Sequence, residues 1–311
     1  MIRESRYNLS LAAEKSRGAM RSSVLWACVT SALLCLPSTF RQSSLPDKSS
    51  ESVWFALSNE SGHALWIDPV VVVIGKKLLE APQYCGDMPA DDEFGRNYLR
   101  PGRTYLVMFG GSKAGEISVK AAKQYESILS AVDFRGTAPI GGRVSALATN
   151  AVVDPARKNS RQAPTPADVV AALELAKMLF AKAGVSASLL SKVKQDELTR
   201  TVLLPERTPS LIGSFSLAPG GELDSVHTLF LVAKQSEQGL AAKFSLARIA
   251  KSPTENEGLT FVDQADLFGD GQDEIVAING YYENYRYRIF SRTHDGKGWE
   301  QIFETGILGC E

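Results

Sequence analysis

The segment Asp266–Glu274 (DLFGDGQDE) puts carboxylates at positions 1, 5 and 9 of a loop and a glycine at position 6. Calcium is a hard cation that takes roughly six to eight oxygens from a flexible loop. Carboxylates at alternating positions, a main-chain carbonyl at position 7 and a final acid are how a short loop supplies them. Glycine at position 6 lets the chain turn through positive φ. The candidate ligands are therefore Asp266, Asp270, Gln272 through its main chain, and Glu274. Position 3 is Phe268, which offers no oxygen, so calcium is expected to be a weak, structural ligand of the millimolar class. The metal-free alternative has Asp266 and Asp270 accepting hydrogen bonds from the turn's own amides. The loop departs from an EF-hand, whose bidentate acid would fall at Ala277 and whose loop leads into a helix, whereas a strand pattern follows here.

Other chemistry-bearing residues form weaker patterns. His63, His227 and His294 are far apart in sequence, so no zinc pattern of the HExxH or Cys/His kind arises. Gly110–Gly115 (GGSKAG) has Glu116 where a phosphate-binding loop needs Lys, and Ser112 is misplaced for a nucleophile elbow. It reads as a hairpin loop. Ser191 and Lys194 match a Ser-x-x-Lys pair without that chemistry's partner motifs. The tract Tyr281–Phe290 interleaves aromatics with Arg286 and Arg288. Such a tract either stacks on sugars or bases or forms a strand with one packed face. A scattered hydrolytic site would be sought in the acidic loop Asp87–Glu93, at Asp91 and Glu93.

The acidic loop resembles those of FG-GAP and VCBS-type repeats, through Asp266, Gly269, Asp270, Gly271 and Glu274 followed by Ile275-Val276. The resemblance implies a calcium loop that staples a hairpin of a β-propeller blade. It covers about forty residues at the C-terminus, too few for a propeller, so it implies the loop and not the architecture. The whole chain also resembles exported bacterial proteins that end in such a loop. Upstream lies a second, similar unit. In a gapless alignment Val202 takes the place of Asp266, Glu206 that of Asp270 and Ser210 that of Glu274. The first unit keeps the turn and lacks the ligands.

The elements that must position the loop are mainly strands. VWFALS, ALWIDPVVVVIG, TYLVMF and EISVK read as strands of a first β-rich region, with Pro69 at an edge or a bulge. Thr165 caps a helix with Pro166 at its first position and Asp168 in its first turn, and Gly184 ends it. Ser186 starts a second, shorter helix to about Lys194, making a helical hairpin. LIGSFSL, HTLFLVAK, KFSLARI, EIVAING, YRYRIFSR and WEQIFETGI then recur as strands between turns. The expected class is α+β: two mainly antiparallel β-rich regions with a helical hairpin between them. The expected divisions are a targeting segment at 1–41, a linker at 42–52, a β-rich domain at 53–150, a linker at 151–164, and helices with a second β-region at 165–311.

Val24–Leu36 is an apolar run behind Arg17 and Arg21, and Pro37 ends it. It reads as the core of a signal peptide starting at Met1 or Met20, or as an uncleaved N-terminal anchor. The mature protein is then extracytoplasmic. Cys85 and Cys310 would remain there, either paired or as separate thiols. A formal net charge of −1 gives no reason to expect nucleic acid or an anionic membrane as a partner. The sequence points to an exported, non-enzymatic protein that binds a protein or glycan, with calcium as a structural extra. A secreted hydrolase is the alternative.

Overall fold

The computed structural model describes residues 51–59, 65–82, 92–122, 130–141, 144–218, 226–252, 255, 257–280 and 284–308. They belong to one compact unit, Leu45–Glu311. The targeting segment, His63, Cys85, Asp91, Tyr281, Tyr282 and Cys310 lie outside the described residues.

The first strands are β1 (Ser52–Ser58), β2 (Leu65–Ile74), β3 (Lys77–Leu79), β4 (Thr104–Phe109), β5 (Ser112–Ala122), β6 (Ser130–Gly136) and β7 (Ala146–Thr149), with a one-and-a-half-turn helix α1 (Glu93–Tyr98) before β4. They pair in the order β1-β7-β4-β5-β6-β2, and β2 also pairs with β1. The ring closes into a six-stranded antiparallel barrel, and β3 extends the far end of β2. Closure leaves these six strands without a free edge, which removes a template for aggregation. Along β1, Val53, Phe55 and Leu57 fill the barrel while Trp54 and Ala56 point outward. Both faces are buried, so β1 is a continuous apolar run. Pro69 falls at a bulge: Trp54 pairs with Val71 and Phe55 with Pro69, leaving Val70 unpaired. Proline has no amide hydrogen for the ladder, and a bulge accommodates that loss.

Helix α2 (Pro166–Lys182) follows, with Thr165 and Asp168 forming a reciprocal capping box. Two four-stranded antiparallel meanders complete the chain. The first is β8 (Lys194–Thr201), β9 (Ser210–Leu217), β10 (His227–Ser236) and β11 (Gly239–Arg248). The second is β12 (Gly258–Ala265), β13 (Glu274–Gly280), β14 (Tyr285–Arg292) and β15 (Trp299–Glu304). Their opening strands are equally long, and the loops behind them span Val202–Pro209 and Asp266–Asp273.

Strand periodicity stacks these parts into layers. In β13, Val276 packs with Trp54, Val71 and Met108 on the outside of the barrel. Its neighbours Ile275 and Ala277 face the other way, onto Ile212, Phe230 and Val232 of the first meander. In β10, Leu229 and Leu231 turn from that interface towards Ala172, Ala176 and Phe180 of α2. The order is barrel, second meander, first meander, helix.

The expected α+β class with a helical hairpin is corrected in its helical part, because the protein is mostly β. The second helix is a single 3-10 turn, Leu190–Lys192. Gly184, at φ +96, ends α2. The stretch after it is serine-rich and too short for a stable helix, and Lys194 already belongs to β8. A second difference lies in the GGSKAG segment. The expected longer loop is a two-residue turn, Gly110-Gly111, and Ser112 opens β5. Both glycines have positive φ, +59 and +74, as a tight turn matching the strand twist requires.

Candidate functional site

The acidic loop joins β12 to β13, and Gly269 and Gly271 turn it at φ +67 and +83. Asp266 accepts hydrogen bonds from the amides of Asp270 (2.9 Å) and Gly271 (2.8 Å). Asp270 Oδ1 accepts from the Gln272 amide at 3.2 Å, and Oδ2 lies 3.4 Å from Lys76 Nζ on the β2–β3 turn of the barrel. The loop thus closes on its own amides. Glu274 turns inward and is 1% exposed. It accepts from the Leu267 amide (3.0 Å) and the Ser291 hydroxyl (3.1 Å). Burial raises its pKa to about 8, against the lowering effect of those two bonds. Asp266, Asp270 and Gln272 therefore stay on the solvent side, while Glu274 is built into the sheet. Among the described residues, no three His, Cys, Asp or Glu side chains are gathered to hold a metal. The donor set on the solvent side, two carboxylates and a main-chain oxygen, fits at most a weakly held cation.

Behind the loop runs a buried polar seam that sequence patterns do not announce. Its centre is Asp263 in β12, fully buried. Both of its oxygens accept the Gly110 amide, at 3.1 and 3.0 Å, from the β4–β5 turn of the barrel. Arg161 lies alongside, with Nη1 3.9 Å from Asp263 Oδ1. Its guanidinium sits between the Phe109 and Phe261 rings, 4.9 and 5.0 Å from their centroids. Its hydrogen bonds go to the carbonyls of Ser145 (3.3 Å) and Val262 (3.1 Å) and to Glu197 (3.5 Å). One side chain therefore touches the barrel and both meanders. Desolvation raises the Asp263 pKa to about 7, with Arg161 and the amide bonds pulling the other way.

Arg161 belongs to residues 151–164, which read as a linker in sequence. In the structure this strap crosses the junction. Ser160 Oγ lies within hydrogen-bond reach of the Gly110 and Val202 carbonyls (3.2 and 3.1 Å), of Thr201 Oγ1 (2.9 Å) and of Gln264 Nε2 (2.9 Å). Arg157 meets Asp273 at 2.6 Å, and the same Asp273 oxygen accepts the Leu204 amide at 2.8 Å. Asp273 is fully buried and its other oxygen has no hydrogen-bond partner. Desolvation raises its pKa against the pull of Arg157. The Gly110-Gly111 turn fits beneath the strap so closely that a Cβ on Gly110 would meet Asn159 Oδ1 at 2.0 Å and the Arg161 nitrogen at 2.8 Å. Only glycine allows this approach.

In the first meander's equivalent loop, Glu206 pairs with Lys234 (2.7 Å) and with Arg292 of β14 (2.8 Å). Burial opposes its ionisation, but the two cations prevail and hold its pKa below the ordinary value. That ion triad ties the meanders together at the position where the second loop carries Asp270.

The remaining sequence candidates are held in structural contacts or lie exposed at the surface. Tyr285 and Tyr287 donate to Asp68 Oδ2 of the barrel at 2.7 and 2.8 Å. Arg286 and Arg288, of the same strand, pair with Glu304 at 3.2 and 3.0 Å. The described part of the aromatic tract is thus a strand, but packed on both faces and not one: Tyr287 and Ile289 join the barrel-side core, and Phe290 joins the core towards the first meander. Asp92 caps α1 through the Gly95 amide, and Glu93 is exposed in its first turn. Ser191 lies on the exposed 3-10 turn. The one signal in sequence for the seam is an acid and an amide, Asp263 and Gln264, inside the otherwise apolar strand FVDQA. A charge there needs a buried partner.

No family model matches the chain, and neither a curated protein nor a solved structure matches it.

Removing Arg157 leaves Asp273 buried without its cation. Arg157→Ala is expected to cost about 3–5 kcal/mol in urea unfolding, and adding Asp273→Asn is expected to recover part of that loss. Equal stability of wild type and Arg157→Ala would contradict the assignment.

Proposed function

We propose that the protein is an exported, non-enzymatic binding module that presents its surface to a protein or glycan partner. The observation carrying this reading is where its reactive side chains go. Asp263, Asp273, Gln264 and Thr201 are fully buried, and their hydrogen bonds join barrel, strap and meanders. Groups used this way stiffen a scaffold and do not face a substrate. A layered β-scaffold with rigid turns suits display of loops for recognition.

In this reading the acidic loop fixes the β12–β13 hairpin. Calcium, held by Asp266, Asp270 and the main chain of Gln272, supplements the turn amides in the millimolar range. Adding about 5 mM calcium to the mature protein is then expected to raise its melting temperature by a few degrees. Asp270→Ala is expected to abolish that rise. A wild-type melting temperature indifferent to calcium would remove the cation from the account.

The binding role is tested by pull-down from an envelope fraction and by glycan-array screening of the folded chain. The expected result is one saturable ligand, lost when the protein is unfolded. Turnover on a panel of hydrolase substrates, lost in Asp91→Asn or Glu93→Gln, would instead establish the enzymatic alternative.

A further inference from the structure

The two meanders face each other through an apolar layer, and at one end that layer opens into a cleft. Strand alternation decides what lines it. On β10 the inward face runs from Phe230 to Thr228, and on β11 from Leu246 to Arg248, which stands opposite Thr228. On β13 it runs from Ala277 to Asn279, which stands opposite Leu259 of β12. Glu257, just before β12, shares the Leu259 face, and Arg288 of β14 stands opposite Ala277. The floor of the cleft is therefore apolar, made by Phe230, Leu246 and Leu259, and its rim carries hydrogen-bonding groups.

The rim holds more donors than its acceptors use. Arg248, its side chain 50% exposed, keeps Nε 3.8 Å from Glu257 Oε2, beyond hydrogen-bond reach. Asn279 is buried and brings Nδ2 to 3.5 Å from Glu257 Oε2, at the limit of a bond. Arg288, also buried, gives Nε and Nη2 to one oxygen of Glu304, at 3.2 and 3.0 Å. Its Nη1 is left without an acceptor among the described residues. Arg286 pairs with Glu304 as well, so three guanidiniums around the rim answer two carboxylates and leave one positive charge in excess. Contacts this long compensate a buried donor poorly for the water it gave up. Glu257 shows what kind of group suits these donors. Its carbonyl is held by the Thr228 hydroxyl, and its carboxylate faces Arg248 and Asn279 but stops short of both.

We propose that this cleft between the meanders is the binding pocket of the module and takes the carboxylate of an Asp or Glu side chain from a partner protein, in competition with Glu257. The inference rests on the binding-module reading above and names the chemistry of its partner. Guanidinium and carboxylate meet as matching forks, through two parallel N–H···O bonds, and Arg248 has the exposure to swing into that geometry. Asn279 and Arg288 Nη1 supply further donors at the wall. The methylenes of the incoming side chain lie on Leu246 and Leu259 of the floor. The base of the cleft admits a group of about the size of one water. A slender acidic side chain enters such a space, and a pyranose ring is too wide for it. Arginine clusters read acidic protein motifs in this manner.

The test is titration of the mature protein with poly-L-glutamate, followed by NMR at the Asn279 side-chain amide and at the Nε–H signals of Arg248 and Arg288. Saturable shifts at these three groups are expected. Arg248→Gln is expected to weaken binding about tenfold, the worth of one charge-assisted bond. Glu257→Gln removes the internal competitor and is expected to strengthen binding severalfold. Polyglutamate that leaves the three signals of the wild type unmoved would overturn the proposal whether or not a variant folds. So would folded variants that bind as the wild type does. Polygalacturonate forms a second arm, and tighter binding of that sugar acid at the same signals would overturn the assignment to a protein side chain. An envelope partner captured equally by wild type and Arg248→Gln would sink the cleft and leave the binding-module reading intact. Hydrolase turnover with the polyglutamate shifts present would sink that reading and leave the carboxylate site standing.

Discussion

The architecture depends on one buried contact, the Asp263 carboxylate on the Gly110 amide with Arg161 alongside. Each partner lies on a different part of the chain: a strand of the second meander, the tip of a barrel hairpin, and the strap. The apolar layers supply most of the adhesion, but apolar contact is not directional. A hydrogen-bonded carboxylate is. With Asp263 buried, sliding of the barrel along β12 would leave an unpaired charge in an apolar medium, and that cost fixes the register.

The strap explains how the contact is enforced. Residues 151–164 carry Arg157, Ser160 and Arg161, which reach the second loop, the first meander and the barrel in turn. The strap has no repeating pattern because it serves no single sheet. Each residue answers a different neighbour. Gly110 and Gly111 are small for the same reason: the turn has to slide under the strap, and a side chain on either would collide with it.

The local parts of this fold are legible in sequence, and the long-range ones are not. The capping box at Thr165 and Asp168, the alternation in β10 and β13, and the bulge at Pro69 are set by neighbours within a few residues. Barrel closure is not local. It arises because β1 pairs with both β2 and β7, and nothing in VWFALS names its partners. Strands β6, β8 and β12 escape notice because charges interrupt their pattern, as in SAVDFRG and KQDELTRT. In the acidic loop, the glycines and the carboxylate-capped turn are readable from spacing. The inward rotation of Glu274 and the burial of Asp273 are not, because they depend on Ser291 and Arg157, which are distant in sequence.

The central claim is that Asp263 and the strap lock barrel and meander into one cooperative structure. Native-state hydrogen exchange at the Gly110 amide tests it most directly. That amide sits on a two-residue turn, where rapid exchange is the ordinary behaviour. If the contact locks the fold, Gly110 exchanges only through global unfolding, and its opening free energy matches that of amides in β10 and β13. Rapid exchange of Gly110 while those strands stay protected would show that the seam opens on its own and does not hold the layers together.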